Sequence, residues 1–127
     1  MLVMDPQTMV REAWAALQRG DTESLERAFT PDARWRAVED GPWNCDGRSQ
    51  ILDVVARQLA RVLSGTIEDV SSLGARAIVG FRPADPDSAP WPLDDGVRYL
   101  VLSFRDGAIA EMKGCATKAD AEAYAQA

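Results

Sequence analysis

Apolar residues in the first third of the chain recur at the spacing of amphipathic helices. Asp5 and Pro6 form a helix start, and Gly20 ends a helix whose apolar positions are Met9, Val10, Ala13, Trp14 and Leu17. Asp21 caps a second, shorter helix that carries Leu25, Ala28 and Phe29 and ends at Thr30 and Pro31. The pattern therefore predicts two helices before any strand.

Alternation with a period of two then predicts a strand over residues 33–38, with Ala33, Trp35 and Ala37 on one face. The turn-rich link "EDGPWNCDG" follows. A long helix is expected over residues 48–63, because its apolar positions form one stripe: Ile51, Leu52, Val55, Leu59, Val62 and Leu63.

Beyond Gly65 the period of two predicts four successive strands, over residues 66–73, 75–81, 97–105 and 108–115. They are interrupted by "RPADPDSAPWPLDDG", whose four prolines predict a loop that is functional or mobile. The acidic residues of that loop do not have calcium-loop spacing, so they are expected to be solvated. Thr117, with Asp120 three residues on, predicts the cap of a terminal helix.

The turn at Asp106 and Gly107 leaves two registers open for the last hairpin. A three-residue loop pairs Leu100 with Met112 and Arg98 with Gly114, which turns Glu111 and Lys113 outward. A two-residue turn instead pairs Leu102 with Glu111 and Leu100 with Lys113, which carries both charges inward. We favour the first register because an unpaired buried charge is costly.

Composition narrows the range of functions. The chain of 127 residues carries a net charge of −6 with its basic residues scattered, which argues against nucleic-acid binding and predicts one domain, residues 1–127. Histidine is absent, so a zinc site, a Ser-His-Asp triad and a Cys-His dyad are excluded. No phosphate-binding glycine loop is present, and we expect neither a metal nor a cofactor. The N-terminus has no secretory-signal pattern and no segment suits a membrane, so a cytoplasmic location is expected.

Three stretches carry a resemblance to a known superfamily: "AALQRGDTESLERAFTPDARW", "DGRSQI" and "LSFRDGAIAEM". From about Val10 to Tyr124 the chain resembles the nuclear transport factor 2-like superfamily, in particular its SnoaL-like and ketosteroid-isomerase-like branches. The resemblance implies an α+β fold, a conical α+β barrel whose strongly curved antiparallel sheet wraps around the long helix. It also implies an apolar pocket for a small molecule.

The catalytic groups of those relatives are missing here. By alignment, Ala13, Ala37 and Leu100 replace the tyrosine and the two aspartates of ketosteroid isomerases. SnoaL-type cyclases and dehydratases of this superfamily rely on histidine. Epoxide-hydrolase relatives need an Arg-x-Asp motif, where this chain has Arg98-Tyr99-Leu100. The resemblance therefore predicts a binding protein without inherited catalysis.

The expected ligand is a small apolar or aromatic molecule. Its predicted binding residues are Trp14, Trp35, Trp43, Arg98, Leu100 and Met112. An alternative is an isomerase, cyclase or dehydratase acting on a polyketide- or steroid-like substrate, with Arg98 as anchor and Glu111 or Glu68 as base. An apolar outer sheet face, formed by Val97, Tyr99, Val101 and Ile109, predicts a homodimer.

Overall fold

A computed structural model describes residues 5–38, 44–88 and 93–127. The helices and strands follow one another as α1 (Pro6–Arg19), α2 (Thr22–Arg27), β1 (Phe29–Arg36), β2 (Cys45–Asp46), α3 (Arg48–Arg57), α4 (Leu59–Ser64), β3 (Thr66–Leu73), β4 (Arg76–Arg82), β5 (Arg98–Arg105), β6 (Ala108–Cys115) and α5 (Lys118–Gln126). Within the described ranges, no helix is long and apolar enough to cross a membrane.

One six-stranded sheet, in the order β2-β1-β6-β5-β4-β3, forms the wall of the fold. Its strands pair antiparallel except for β1 and β6, which run parallel. The sheet is open, with β2 at one edge and β3 at the other. The α+β class and the curved sheet are confirmed.

The predicted caps are present. Asp5 accepts a hydrogen bond from the amide of Thr8, Asp21 accepts one from Ser24, and Thr117 accepts one from Asp120. Each bond satisfies a backbone donor that the first helical turn leaves without a partner. Gly20 ends α1 with a φ of 69°, the left-handed conformation that favours glycine.

The helices differ from the prediction in two places. Phe29, predicted in the second helix, is the first residue of β1, because Phe29, Thr30 and the residues after them extend alongside β6. The predicted long helix is divided at Gln58, where φ and ψ of −104° and 12° leave the helical region between α3 and α4. The helix inside the cone is therefore two shorter helices.

The last hairpin follows neither predicted register. Arg105 pairs with Ala108 across a two-residue turn in which Asp106 and Gly107 have φ values of 54° and 79°. A β-bulge then inserts Ala110 into β6. Beyond the bulge the paired residues are Ser103 and Glu111, Leu102 and Met112, Val101 and Lys113, and Leu100 and Gly114. Because of this extra residue, Glu111 and Lys113 point outward, as they would in the first predicted register.

Two apolar clusters lie on opposite sides of the sheet. The larger fills the inside of the cone, and the smaller lies beneath α5, where Ala121 and Ala125 pack on Ile78, Val101 and Cys115. Tyr99 and Val101 belong to the outer cluster, as predicted, but the outer face is largely covered, and Ile109 is not part of it. Helix α5 covers Val101 (0% exposed), Ile109 belongs to the inner cluster, and Val97 is buried (5% exposed).

Candidate ligand-binding site

The concave side of the sheet and the helices that cross it line a partly open cavity of about 170 Å³. Helix α1 supplies four of the lining residues, because their spacing places them on one face of the helix. Helices α3 and α4 add one valine each. The lining residues are Val10, Ala13, Trp14, Leu17, Leu25, Phe29, Trp35, Val55, Val62, Ile67, Val79, Phe81, Arg98, Leu100, Leu102, Ile109 and Met112.

Two of the predicted tryptophans belong to this lining. Trp14 packs edge-on against Phe81, with ring centroids 6.1 Å apart and planes at 63°. Trp35 lies on β1 beside Met112 of β6. Its indole Nε1 is buried and has no hydrogen-bond partner among the described residues. A buried N–H of this kind is costly unless something accepts its hydrogen bond, so Trp35 brings a donor to a mostly apolar wall.

Arg98 is the one charged side chain among the described residues that line the cavity. It is the first residue of β5 and lies on the same face as Leu100 and Leu102, two and four residues on. Only 5% of the residue is exposed. Burial disfavours the charged form and lowers its pKa from its usual value to about 10, with a smaller opposing influence from Cys115. The guanidinium therefore remains positively charged at neutral pH.

Gly114 makes room for that guanidinium. A Cβ at this position on β6 would lie 2.8 Å from Nη2 of Arg98, closer than a side-chain carbon normally approaches, and 3.4 Å from its Cζ. The sequence prediction did not include Gly114 among the site residues. The signal was available, because a glycine inside a strand often marks the close approach of another group.

The carboxylates proposed for catalysis lie elsewhere. Glu111 is on the outer side of the sheet, where it accepts hydrogen bonds from the Tyr124 hydroxyl and, at 2.9 Å, from Arg34. Glu68 pairs with Arg82 at 2.6 Å, and that contact lowers the pKa of the carboxyl group. Neither residue lines the cavity. The alternative in which Arg98 works with Glu68 or Glu111 is not supported by this arrangement.

The structure brings together most of the predicted site. Trp14, Trp35, Arg98, Leu100 and Met112 all line the cavity, whereas Trp43 lies outside the described residues. Their role in binding stays a prediction. Ala13 and Leu100, which replace polar groups of catalytic relatives, are lining residues too. In the described ranges, no group of three or more Cys, Asp or Glu residues is placed to hold a metal ion.

Comparison with known families decides the membership of the chain. Residues 10–112 match the sequence model of the SnoaL-like domain. The chain belongs to the SnoaL-like family. This membership confirms the resemblance on which the fold was predicted. A search of curated proteins gives no match.

Several solved structures share the fold of this SnoaL-like protein at low sequence identity. A proposed polyketide cyclase from Sinorhizobium meliloti is 24% identical, with a TM-score of 0.61 over 84% of this chain and 93% of that one. Bal32a, from a soil-derived mobile gene cassette, is 19% identical, with a TM-score of 0.65 and coverages of 84% and 85%. An NTF2-like protein of unknown function from Cytophaga hutchinsonii is 8% identical, with a TM-score of 0.65 and coverages of 90% and 90%. The likeness extends to architecture alone.

Proposed function

We propose that this SnoaL-like protein binds a small, mostly apolar molecule in the cavity inside the cone. The observation that carries the proposal is the cavity's lining, in which aliphatic, aromatic and thioether side chains surround one buried arginine. Binding sites for small organic molecules have this composition, with apolar walls for affinity and few polar groups for orientation.

The volume of the cavity limits the size of the ligand. An apolar cavity of about 150 Å³ in a protein core is large enough to hold benzene. At about 170 Å³, this cavity suits a single substituted ring or a branched chain of similar size. A steroid-sized or polyketide-sized molecule needs a site of roughly 300 Å³ or more. The proposal therefore concerns ligands the size of toluene.

Isothermal titration calorimetry with toluene tests the proposal. The unmodified protein is expected to bind toluene with a stoichiometry of one. Ala13→Phe places a phenyl ring in the cavity and is expected to weaken binding by roughly tenfold or more, because the space for the ligand is filled. Ala56→Phe adds the same ring on an exposed position of α3 and serves as the matched control.

Two results would contradict the proposal. The first is the absence of toluene binding to the folded protein. The second is equal toluene affinity in Ala13→Phe and Ala56→Phe, because binding would then occur outside the cavity. Circular dichroism establishes that both variants keep their secondary structure.

The homodimer and the cytoplasmic location also stay predictions. Because α5 covers Val101, this residue is not available to a dimer interface. The remaining support for a dimer is a pair of apolar residues on the outer side of the sheet that α5 does not fully cover. These are the half-buried Tyr99 and the exposed Leu73 (39%). Analytical ultracentrifugation across a hundredfold range of concentration tests the dimer, and a single monomeric species throughout would contradict it.

A further inference from the structure

The indole of Trp35 carries a hydrogen-bond donor that the protein itself leaves without a partner. Its Nε1 is buried, and no acceptor among the described residues bonds to it. A donor that is removed from water without a new partner destabilises the folded state. An acceptor atom that reaches Nε1 recovers this loss.

The neighbours of Trp35 do not supply the acceptor. In the sheet, Trp35 pairs with Met112 of β6 on one side and with Cys45 of β2 on the other, and both of these side chains carry sulfur, a weak acceptor. None of the described residues along the cavity has a side-chain oxygen. Because Trp35 itself lines the cavity, a molecule bound there is in a position to bring the missing acceptor.

The composition of the wall selects the kind of acceptor. A hydroxyl, amine or amide group would bring donors of its own, and the described lining side chains offer them no oxygen. A carboxylate would bring a full charge, whose burial a single uncharged donor does not offset. Arg98, the charged residue of the wall, already interacts with other groups of the protein. A carbonyl oxygen accepts a hydrogen bond and brings no donor.

On these grounds we propose that the cavity binds a small uncharged carbonyl compound of about the size of cyclohexanone, whose oxygen accepts a hydrogen bond from Nε1 of Trp35. The remainder of the molecule lies against the aliphatic and aromatic side chains, in a volume of about 170 Å³ that accepts one ring. This inference rests on the proposed function, since it names the class of molecule that the cavity binds.

Two ligands of the same shape test the inference. Cyclohexanone carries a C=O group where methylenecyclohexane carries C=CH₂, and calorimetry measures the ratio of their affinities. Trp35→Phe keeps an aromatic ring and removes the N–H. It is expected to lower the ratio of cyclohexanone to methylenecyclohexane affinity by roughly fivefold, because the net contribution of one hydrogen bond is of that order. The space that the smaller ring leaves is common to both ligands, so it does not alter the ratio.

Trp14→Phe is the matched control, since it makes the same change elsewhere on the wall of the cavity. Its ratio is expected to equal that of the unmodified protein. An unchanged ratio in Trp35→Phe, or an equal fall in both variants, would overturn the assignment to Trp35, and the proposed function would stand if toluene still binds. Failure of toluene and of both matched ligands would overturn both proposals.

Infrared spectroscopy tests the hydrogen bond in the unmodified protein. A carbonyl group that accepts a hydrogen bond absorbs at a lower frequency than the same group in an alkane solvent. The isotope-edited carbonyl band of bound cyclohexanone is therefore expected below its position in hexane. A band at the hexane position would show that the oxygen has no donor and would overturn the inference.

Discussion

Replacement of Arg98 by methionine is expected to increase the stability of the protein. Burial lowers the pKa of this guanidinium from its usual value to about 10, which means that the folded protein holds the proton less well than the unfolded chain does. Each unit of pKa corresponds to 1.36 kcal/mol, so keeping the side chain charged costs the fold roughly 3 kcal/mol. Methionine keeps the apolar stem and removes the charge. The free energy of unfolding is expected to rise by about 1–3 kcal/mol.

The pH dependence of this difference has a defined sign. At a pH between the folded and unfolded pKa values, the unfolded chain keeps the proton that the folded protein has released. The wild type therefore gains stability from this group as the pH rises above about 10. The advantage of Arg98→Met is expected to be complete near neutral pH and to become smaller above pH 10.

Urea denaturation followed by circular dichroism measures both effects. Arg57→Met is the control, since its salt bridge is exposed and its loss is expected to change stability by less than about 1 kcal/mol. An Arg98→Met variant that is less stable than the wild type by more than 1 kcal/mol would refute the reasoning. Arg98 would then be a structural residue whose bonds hold the fold together, and its position in the cavity would need another explanation.

Three further changes have expected outcomes. Gly114→Ala places a methyl group 2.8 Å from Nη2 of Arg98, so the guanidinium has to move, and the unfolding free energy measured by urea titration is expected to fall by about 1 kcal/mol or more; an unchanged value would contradict this. Burial, together with the hydrogen bond to Glu111, raises the pKa of Tyr124, so the contribution of this tyrosine is complete below about pH 10 and is lost as the pH rises through its folded pKa. Thermal unfolding across that range is expected to show a smaller alkaline loss in Tyr124→Phe than in the wild type, and identical pH profiles would rule this out. Thr117→Ala removes the N-cap of α5 and is expected to lower the unfolding free energy by about 1 kcal/mol in urea titration, whereas an unchanged value would mean that the cap is dispensable.

The sequence predicted those parts of the fold that depend on local chemistry. Asp5, Asp21 and Thr117 cap helices where expected, because a cap needs only a side-chain oxygen and a nearby free amide. The candidate site was largely predictable for a similar reason. Side chains alternate along a strand, so if Leu102 faces the interior, Leu100 and Arg98 of β5 face it too.

Features set by distant contacts were not predictable in the same way. The break at Gln58 has no glycine or proline to mark it. The cover that α5 gives to Val101 depends on two small residues, Ala121 and Ala125, which carry little apolar signal in a sequence. Gly114 was missed because its importance lies in the guanidinium that approaches it from another strand.

The extra residue Ala110 has a consequence for the chemistry of the interior. If the ladder between β5 and β6 continued regularly from Phe104 and Ile109, with Ala110 paired with Ser103 instead of bulged out, Glu111 would lie opposite Leu102, on the concave side of the sheet. The same amino acids would then enclose an acid instead of excluding one. A slip of one residue in the hairpin thus separates two chemically opposite interiors, and the register of the two strands, as much as their composition, determines which of them exists.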